Sequence, residues 1–229
     1  MNITQSVRYL IIFLLFFSSC DKARKTKDGE DDSAKTESTI GKEAVTGIMS
    51  AKSLGMAYLE DNKLEEAETQ FLKMIALAPE DASGYANLGV VYLRQGKNDE
   101  AEKYLQKAVD LDPGDPDIRL NLAKVYELRN DRKASLEELK KSEEITPDHV
   151  KTLYSIAEKY EGASDASSVA EWETYMRKIV ENAPRNIVAR LYLVEALTHN
   201  EKGDEALKNL EETQQICPQF PSESLDFFR

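Results

Sequence analysis

The sequence predicts an all-α solenoid of about five helix–turn–helix repeats, and three observations predict it. Pro79, Pro113 and Pro147 stand 34 residues apart, and Pro184 and Pro218 follow after steps of 37 and 34. Tyr58, Tyr92, Tyr126 and Tyr160 keep a step of 34. Three further columns hold the same phase: Leu54, Leu88, Leu122, Ile156 and Leu193; Gly55, Gly89, Ala123 and Ala157; and Phe71, Leu105, Leu139, Met176 and Leu210. A period of this length marks stacked supersecondary units, each unable to bury its apolar face alone.

Residues 1–19 stand outside the repeats. One basic residue, Arg8, precedes an apolar run ending at Phe17, and Ser18-Ser19-Cys20 follows. A charged start, a short apolar run and small residues describe a secretory signal, and the run is about half of the ~20 residues a bilayer span needs. The Ser-Ser-Cys end resembles the lipobox of bacterial lipoproteins, with Phe17 where that family has Leu. The resemblance implies that the Cys20 thiol is joined to diacylglycerol, that the peptide before Cys20 is cut off, and that the new amino terminus is acylated, by a chain such as palmitate. Several chains anchor firmly where one is marginal, since each buried CH₂ contributes roughly 0.8 kcal/mol. With Cys20 lipidated, Cys217 is the other thiol of the two and no internal disulfide forms. Cys217 is expected as a small core residue.

Residues 20–43 read as a disordered tether. Beyond Cys20 the apolar members are Ala23, Ala34 and Ile40, too few to offset the entropy of ordering. A flexible coil of this length spans roughly 25 Å. Lys22, Arg24, Lys25 and Lys27 lie nearest the lipid, within reach of anionic headgroups. The tether is nearly balanced in charge, so the net −12 of the whole chain belongs to the folded part. That excess of acid argues against nucleic-acid binding, which needs cations to neutralise phosphates.

The repeats occupy residues 44–220, in units of about 48–81, 82–115, 116–149, 150–186 and 187–220. In the second, an apolar stripe of helical spacing runs from Ala82 to Gln95, and Gly96 supplies the left-handed residue that closes the helix. Asn62 and Asn130 hold the same phase and tolerate that conformation. A second helix follows, with Ala101, Leu105 and Ala108 on one face. Pro113 ends it, Asp115 caps the next and Pro116 opens its first turn. The tyrosine clock keeps 34 between Tyr126 and Tyr160 while the proline clock reads 37, so three extra residues lie between Tyr160 and Pro184. The polar run Gly162–Ser168 is expected to hold them as a loop. Residues 221–229, with Leu225, Phe227 and Phe228, read as a cap or the start of a sixth repeat.

These columns resemble the tetratricopeptide repeat. Leu54, Gly55, Tyr58, Ala67, Phe71 and Pro79 give its pattern in full, and so do Leu88, Gly89, Tyr92, Ala101, Leu105 and Pro113. The third unit puts Ala123 and Ser135 at the small positions. The fourth has Trp172 at the small position of its second helix, and the fifth has Val194 and Leu197 in place of Gly and Tyr. The resemblance implies a right-handed superhelix whose first helices line a groove for a protein or peptide. By phase that groove holds Lys52, Met56, Asn87, Arg94, Asn121, Lys124, Tyr154, Glu158, Tyr192 and Glu195. The clamp that chaperone-binding members use for a free C-terminal carboxylate is matched at Lys52 and Asn87, and departed from at Met56, Asp117 and Asn121. Positive Lys52, Arg94 and Lys124 face one half of the groove and Glu158 and Glu195 the other.

The chain offers little for catalysis. It has no phosphate-cradling Gly-rich loop, no His-Glu-x-x-His and no Cys pair at metal spacing. Asp110, Asp112, Asp115 and Asp117 lack the Gly and closing Glu of a calcium loop, and the repeat register explains Asp112 and Asp115 without a metal. His149 and His199 fall at repeat junctions and are expected in solvent. The Tyr column and Trp172 are expected in packing between helices. No catalytic residue, cofactor or metal is therefore assigned.

Three functions remain. The first is a non-catalytic, lipid-anchored adaptor that binds a protein or peptide at the bacterial envelope, with outer-membrane or pilus/secretion assembly as candidate settings. The outer membrane is favoured over the inner, with the face left open. The second is the front part of a longer envelope enzyme or nutrient-binding lipoprotein. The third is glycan binding by aromatics at Tyr154 and Tyr192.

Overall fold

The computed structural model describes residues 39–218, with side chains from residue 44. The signal, Cys20, most of the tether and residues 219–229 lie outside the described residues. Ten helices and no strand form among those described, an all-α helical-repeat solenoid. The described chain divides after Pro147 into two compact units.

The first unit holds α1 (Thr39–Glu60), α2 (Leu64–Leu77), α3 (Ala82–Gln95), α4 (Asn98–Leu111), α5 (Pro116–Leu128) and α6 (Arg132–Ile145). Each helix packs on the next, and α3 also meets α5, so consecutive first helices share one face. The second unit holds α7 (Val150–Ala157), α8 (Ala166–Asn182), α9 (Ile187–His199) and α10 (Gly203–Ile216), again each on the next.

Local chemistry sets the helix ends as expected. The Asp81 carboxylate accepts from Ser83 N–H, and Asp115 accepts from Asp117 N–H at 2.8 Å with Pro116 in the first turn. Gly96 has φ 73°, and Asn62 and Asn130 have φ 57° and 60°. Replacing the Asp115 side chain removes a cap, so Asp115→Ala is expected to cost about 0.5–2 kcal/mol in urea unfolding.

Three positions depart from expectation. Helix α1 begins at Thr39, so residues 39–43 belong to the first repeat and not to the tether. The helix-forming Lys42, Glu43 and Ala44 carry the helix back beyond the 34-residue phase. At the insertion, Ala166, Ser167 and Ser168 form the first turn of α8 instead of a loop, because Asp165 caps them by accepting from Ser168 N–H at 2.9 Å. The extra three residues thus lengthen a helix, and α7 stops early at Ala157. Leu54 is 43% exposed, whereas Leu88, Leu122, Ile156 and Leu193 are buried. Gly84, one turn before Leu88 on α3, lies against Ile75 and Met74 of the preceding repeat, and no described helix precedes α1.

The remaining columns are core. Ala67, Ala101, Ser135, Trp172 and Ala206 are all buried, and so are Phe71, Leu105, Leu139, Met176 and Leu210. Cys217 is only half-buried at the end of α10, short of the core position expected for it.

A polar latch repeats with the apolar columns. Glu68 of α2 accepts from the Tyr92 hydroxyl and the Gln95 amide at the end of α3. Glu102 of α4 accepts from Tyr126 and Arg129 at the end of α5. Glu173 of α8 holds the same phase once the insertion is counted, and accepts from Asn200 and Lys202 in the turn after α9. Burial, then the hydrogen bond to its carboxylate, pushes the Tyr92 and Tyr126 hydroxyls above the usual phenol range. A second latch ties helices within a repeat. Arg119 donates to Glu138 and to the Pro113 carbonyl, and Arg190 to Asn209, Glu212 and the Pro184 carbonyl. Position 119 corresponds to 190 and 138 to 209, so these two arginines do one structural task in two repeats.

Candidate functional site

The first helices of residues 39–147 present one candidate surface. Lys52 and Lys124 are exposed, and Asn87 and Asn121, one repeat apart at the same phase, are half-buried. Met56 is 38% exposed, beside an exposed Met49 and Val45 on α1. Several of these side chains are engaged within the fold. The Asn87 amide donates to the Ser83 carbonyl one turn back, at 2.8 Å. Lys124 pairs with Glu127 on its own helix at 2.8 Å. Arg94 donates to the Leu59 carbonyl at 2.7 Å, which also accepts from Asn62 N–H at 3.2 Å in the turn that closes α1. Arg94 therefore has a structural task that its phase does not disclose.

The second unit gathers a different group. Tyr154 and Glu158 come from α7 and its end, Glu161 from the turn that follows, Trp172 and Met176 from α8, and Tyr192 from α9. Together they line a cavity of about 40 Å³. The Trp172 and Tyr192 rings meet at 62° with centroids 6.4 Å apart. Burial pushes the Tyr154 hydroxyl up to about 12, against a hydrogen bond from Asn186, the cap of α9. Tyr154 thus stays a neutral phenol throughout the physiological range.

Of the ten residues expected in the groove, this pocket brings together Tyr154, Glu158 and Tyr192. Glu195 is a correction: it is 1% exposed, inside the second unit, because α9 buries nearly its whole circumference between α8 and α10. An amphipathic reading fails for a helix with no polar face. Phase does not find Glu161, Trp172 and Met176. The available signal is Trp172 itself, a large ring at a position that is Ala or Ser in every other unit. A side chain of that size must reach past the small column toward the first helices. His199 is exposed as expected and lies against the Trp172 ring, while His149 is half-buried with its Nδ1 2.8 Å from the Thr152 hydroxyl. Asp112 accepts from Gly114 N–H and Asp115 caps α5, and no group of metal-binding side chains occurs among the described residues. No described helix is long and apolar enough to cross a membrane.

Helix pairs of fixed period, stacked so that first helices share a face, define a helical-repeat scaffold for protein interaction. Two tetratricopeptide-repeat family profiles match, over residues 52–116 and 92–156. The chain belongs to the tetratricopeptide-repeat family. Solved structures agree on the fold. Pseudomonas aeruginosa pilF aligns with a TM-score of 0.65 at 16% identity, covering 80% of this chain and 81% of that one. YrrB, a TPR protein with an unusual peptide-binding site, aligns at 0.54 and 19% identity, covering 80% and 90%. MamA (41-end) from Desulfovibrio magneticus RS-1 aligns at 0.58 and 15% identity, covering 77% and 98%. No curated protein matches the chain in sequence.

Proposed function

We propose that this protein is a non-catalytic, lipid-anchored scaffold of the bacterial envelope that holds a partner protein or peptide on its first helices. The observation that carries partner binding is the placement of Lys52, Met56, Asn87, Asn121 and Lys124 on the first helices α1, α3 and α5, Asn87 and Asn121 one repeat apart and Met56 and Lys124 two, all with solvent access. They form a mixed polar and apolar surface with no catalytic grouping on it. The likeness to YrrB, a peptide-binding relative in fold, supports the same reading. The charged start, apolar run and Ser-Ser-Cys20 end support the anchor, and a role in outer-membrane or pilus/secretion assembly fits that address.

Two experiments test it. Alkyne-palmitate fed to cells is expected to label the protein and leave it in the membrane fraction, whereas Cys20→Ala is expected to lose the label and most membrane association. Equal labelling of the variant removes the anchor from the proposal. A photo-crosslinking residue at Asn121 in intact cells is expected to trap one dominant partner, identified by mass spectrometry. Absence of any crosslinked species there and at Lys52 removes the partner.

A further inference from the structure

We propose that the pocket of Tyr154, Trp172 and Tyr192, with Glu158 and Glu161 in its wall, takes the terminal ammonium of a lysine side chain presented by the partner. This rests on the reading of the chain as a protein-binding scaffold and names what one of its sites recognises.

Chemistry and charge point to that occupant. Aromatic faces attract cations through their quadrupole, most strongly for Trp, and the attraction grows when the site excludes water. Here Trp172 and Tyr192 line the site with their rings meeting edge-on at 62°, Trp172 with 3% of its surface exposed and Tyr192 half-buried. Tyr154 and the thioether of Met176 add polarisable surface. Glu158 is exposed, and among the described residues no cation lies within ion-pair distance of its carboxylate. Glu161 adds a second carboxylate to the wall. A neutral apolar side chain would leave the Glu158 charge uncompensated beside it, and an anion would be repelled. The cavity of about 40 Å³ exceeds the ~10–15 Å³ of such space that one water needs, so it has room for an ammonium.

The pocket carries its own reporter, because Trp172 is the single tryptophan of the chain. The full chain in detergent is titrated with an acetylated, amidated Gly-Gly-Lys-Gly-Gly peptide while Trp172 emission is followed. A saturable change is expected, at least threefold weaker for the same peptide with an Nε-acetylated lysine and weakened at least threefold by 0.5 M salt. Glu158→Gln and Glu161→Gln, both at exposed positions, are each expected to weaken it by a factor of three or more with the helical circular dichroism unchanged. No emission change up to 50 mM peptide overturns the inference, as does an equal response to the acetylated peptide. A saturable response to N-acetylglucosamine without one to the lysine peptide also overturns it, in favour of a glycan. The Asn121 crosslink reports the scaffold reading separately: a trapped partner with a silent pocket sinks this inference alone, and a responsive pocket with no trapped partner sinks the scaffold reading instead.

Discussion

Glu173→Ala is expected to destabilise the protein by about 2–4 kcal/mol, among the largest effects of any single polar substitution in the chain. Its side chain is 6% exposed and its carboxylate is the acceptor for Lys202, Asn200 and Arg177 at once. Hydrogen bonds to a charged group contribute about 1.5–3 kcal/mol, and removing one partner of a buried pair leaves the other uncompensated. Lys202 and Arg177 keep roughly two-fifths of their side-chain exposure, which lets water recover part of the loss. The same turn contains Glu201 at φ 58°, a conformation that costs a non-glycine residue roughly 1–2 kcal/mol. The latch grips the residues on either side of it, so its loss also frees a strained backbone.

The pH dependence follows from the charge. Burial alone would raise the Glu173 carboxyl, but the hydrogen bonds from Lys202, Asn200 and Arg177 outweigh it and hold the group below the ordinary glutamate range. A group lowered on folding contributes stability that is present above its unfolded value and is lost as pH falls through the folded one. Glu173→Gln is therefore expected to be less stable than the parent at pH 7 and to converge with it in acid. Urea unfolding of both proteins at pH 7 and pH 3 checks this, and a gap that stays constant between them refutes it.

The second large effect is a coupled one in the first unit. A Cβ added to Gly89 would lie 2.5 Å from Leu105 Cγ and 2.8 Å from its Cδ2, and one added to Gly55 would lie 2.7 Å from the Phe71 ring. These glycines let the first and second helices of a repeat approach until a large side chain rests on bare backbone. Gly89→Ala should therefore overpack the site, costing about 1–3 kcal/mol, although alanine in a helix interior would otherwise gain roughly 1 kcal/mol. Leu105→Ala alone should cost about 2–5 kcal/mol through lost burial and a cavity. Together they should be far from additive, because the new methyl enters the space the leucine leaves. The double variant is expected to be more stable than Leu105→Ala alone, and equilibrium unfolding of the four proteins in this cycle measures the coupling. Simple additivity would show that the two positions do not share the space.

Much of the fold is legible along the chain, because a repeat states its packing several times over. Gly55, Gly89 and Ala123 share a phase, so each vouches for the others as a point of close approach. Asn62, Gly96 and Asn130 do the same for the turns. The candidate site is legible only in part. Phase places Tyr154, Glu158 and Tyr192 on first helices, but it also places Glu195 there, and Glu195 is buried. Phase assumes that every unit has the same neighbours. The fourth and fifth units break that assumption, since α7 is cut short, α8 is lengthened and α9 is enclosed.

The sequence by itself determined the all-α class, the repeat length, the turns at Asn62, Gly96 and Asn130 and the tetratricopeptide family, because apolar period, caps and turn residues are properties of neighbours along the chain. Only the tertiary structure decided that Trp172 meets Tyr192 and Tyr154 around one cavity, that Glu173 holds a turn 27 to 29 residues away, and that Arg94 serves a helix end instead of the open surface. Those outcomes depend on which side chains from different helices arrive at the same point, and that is settled when the helices pack, not by their spacing along the chain.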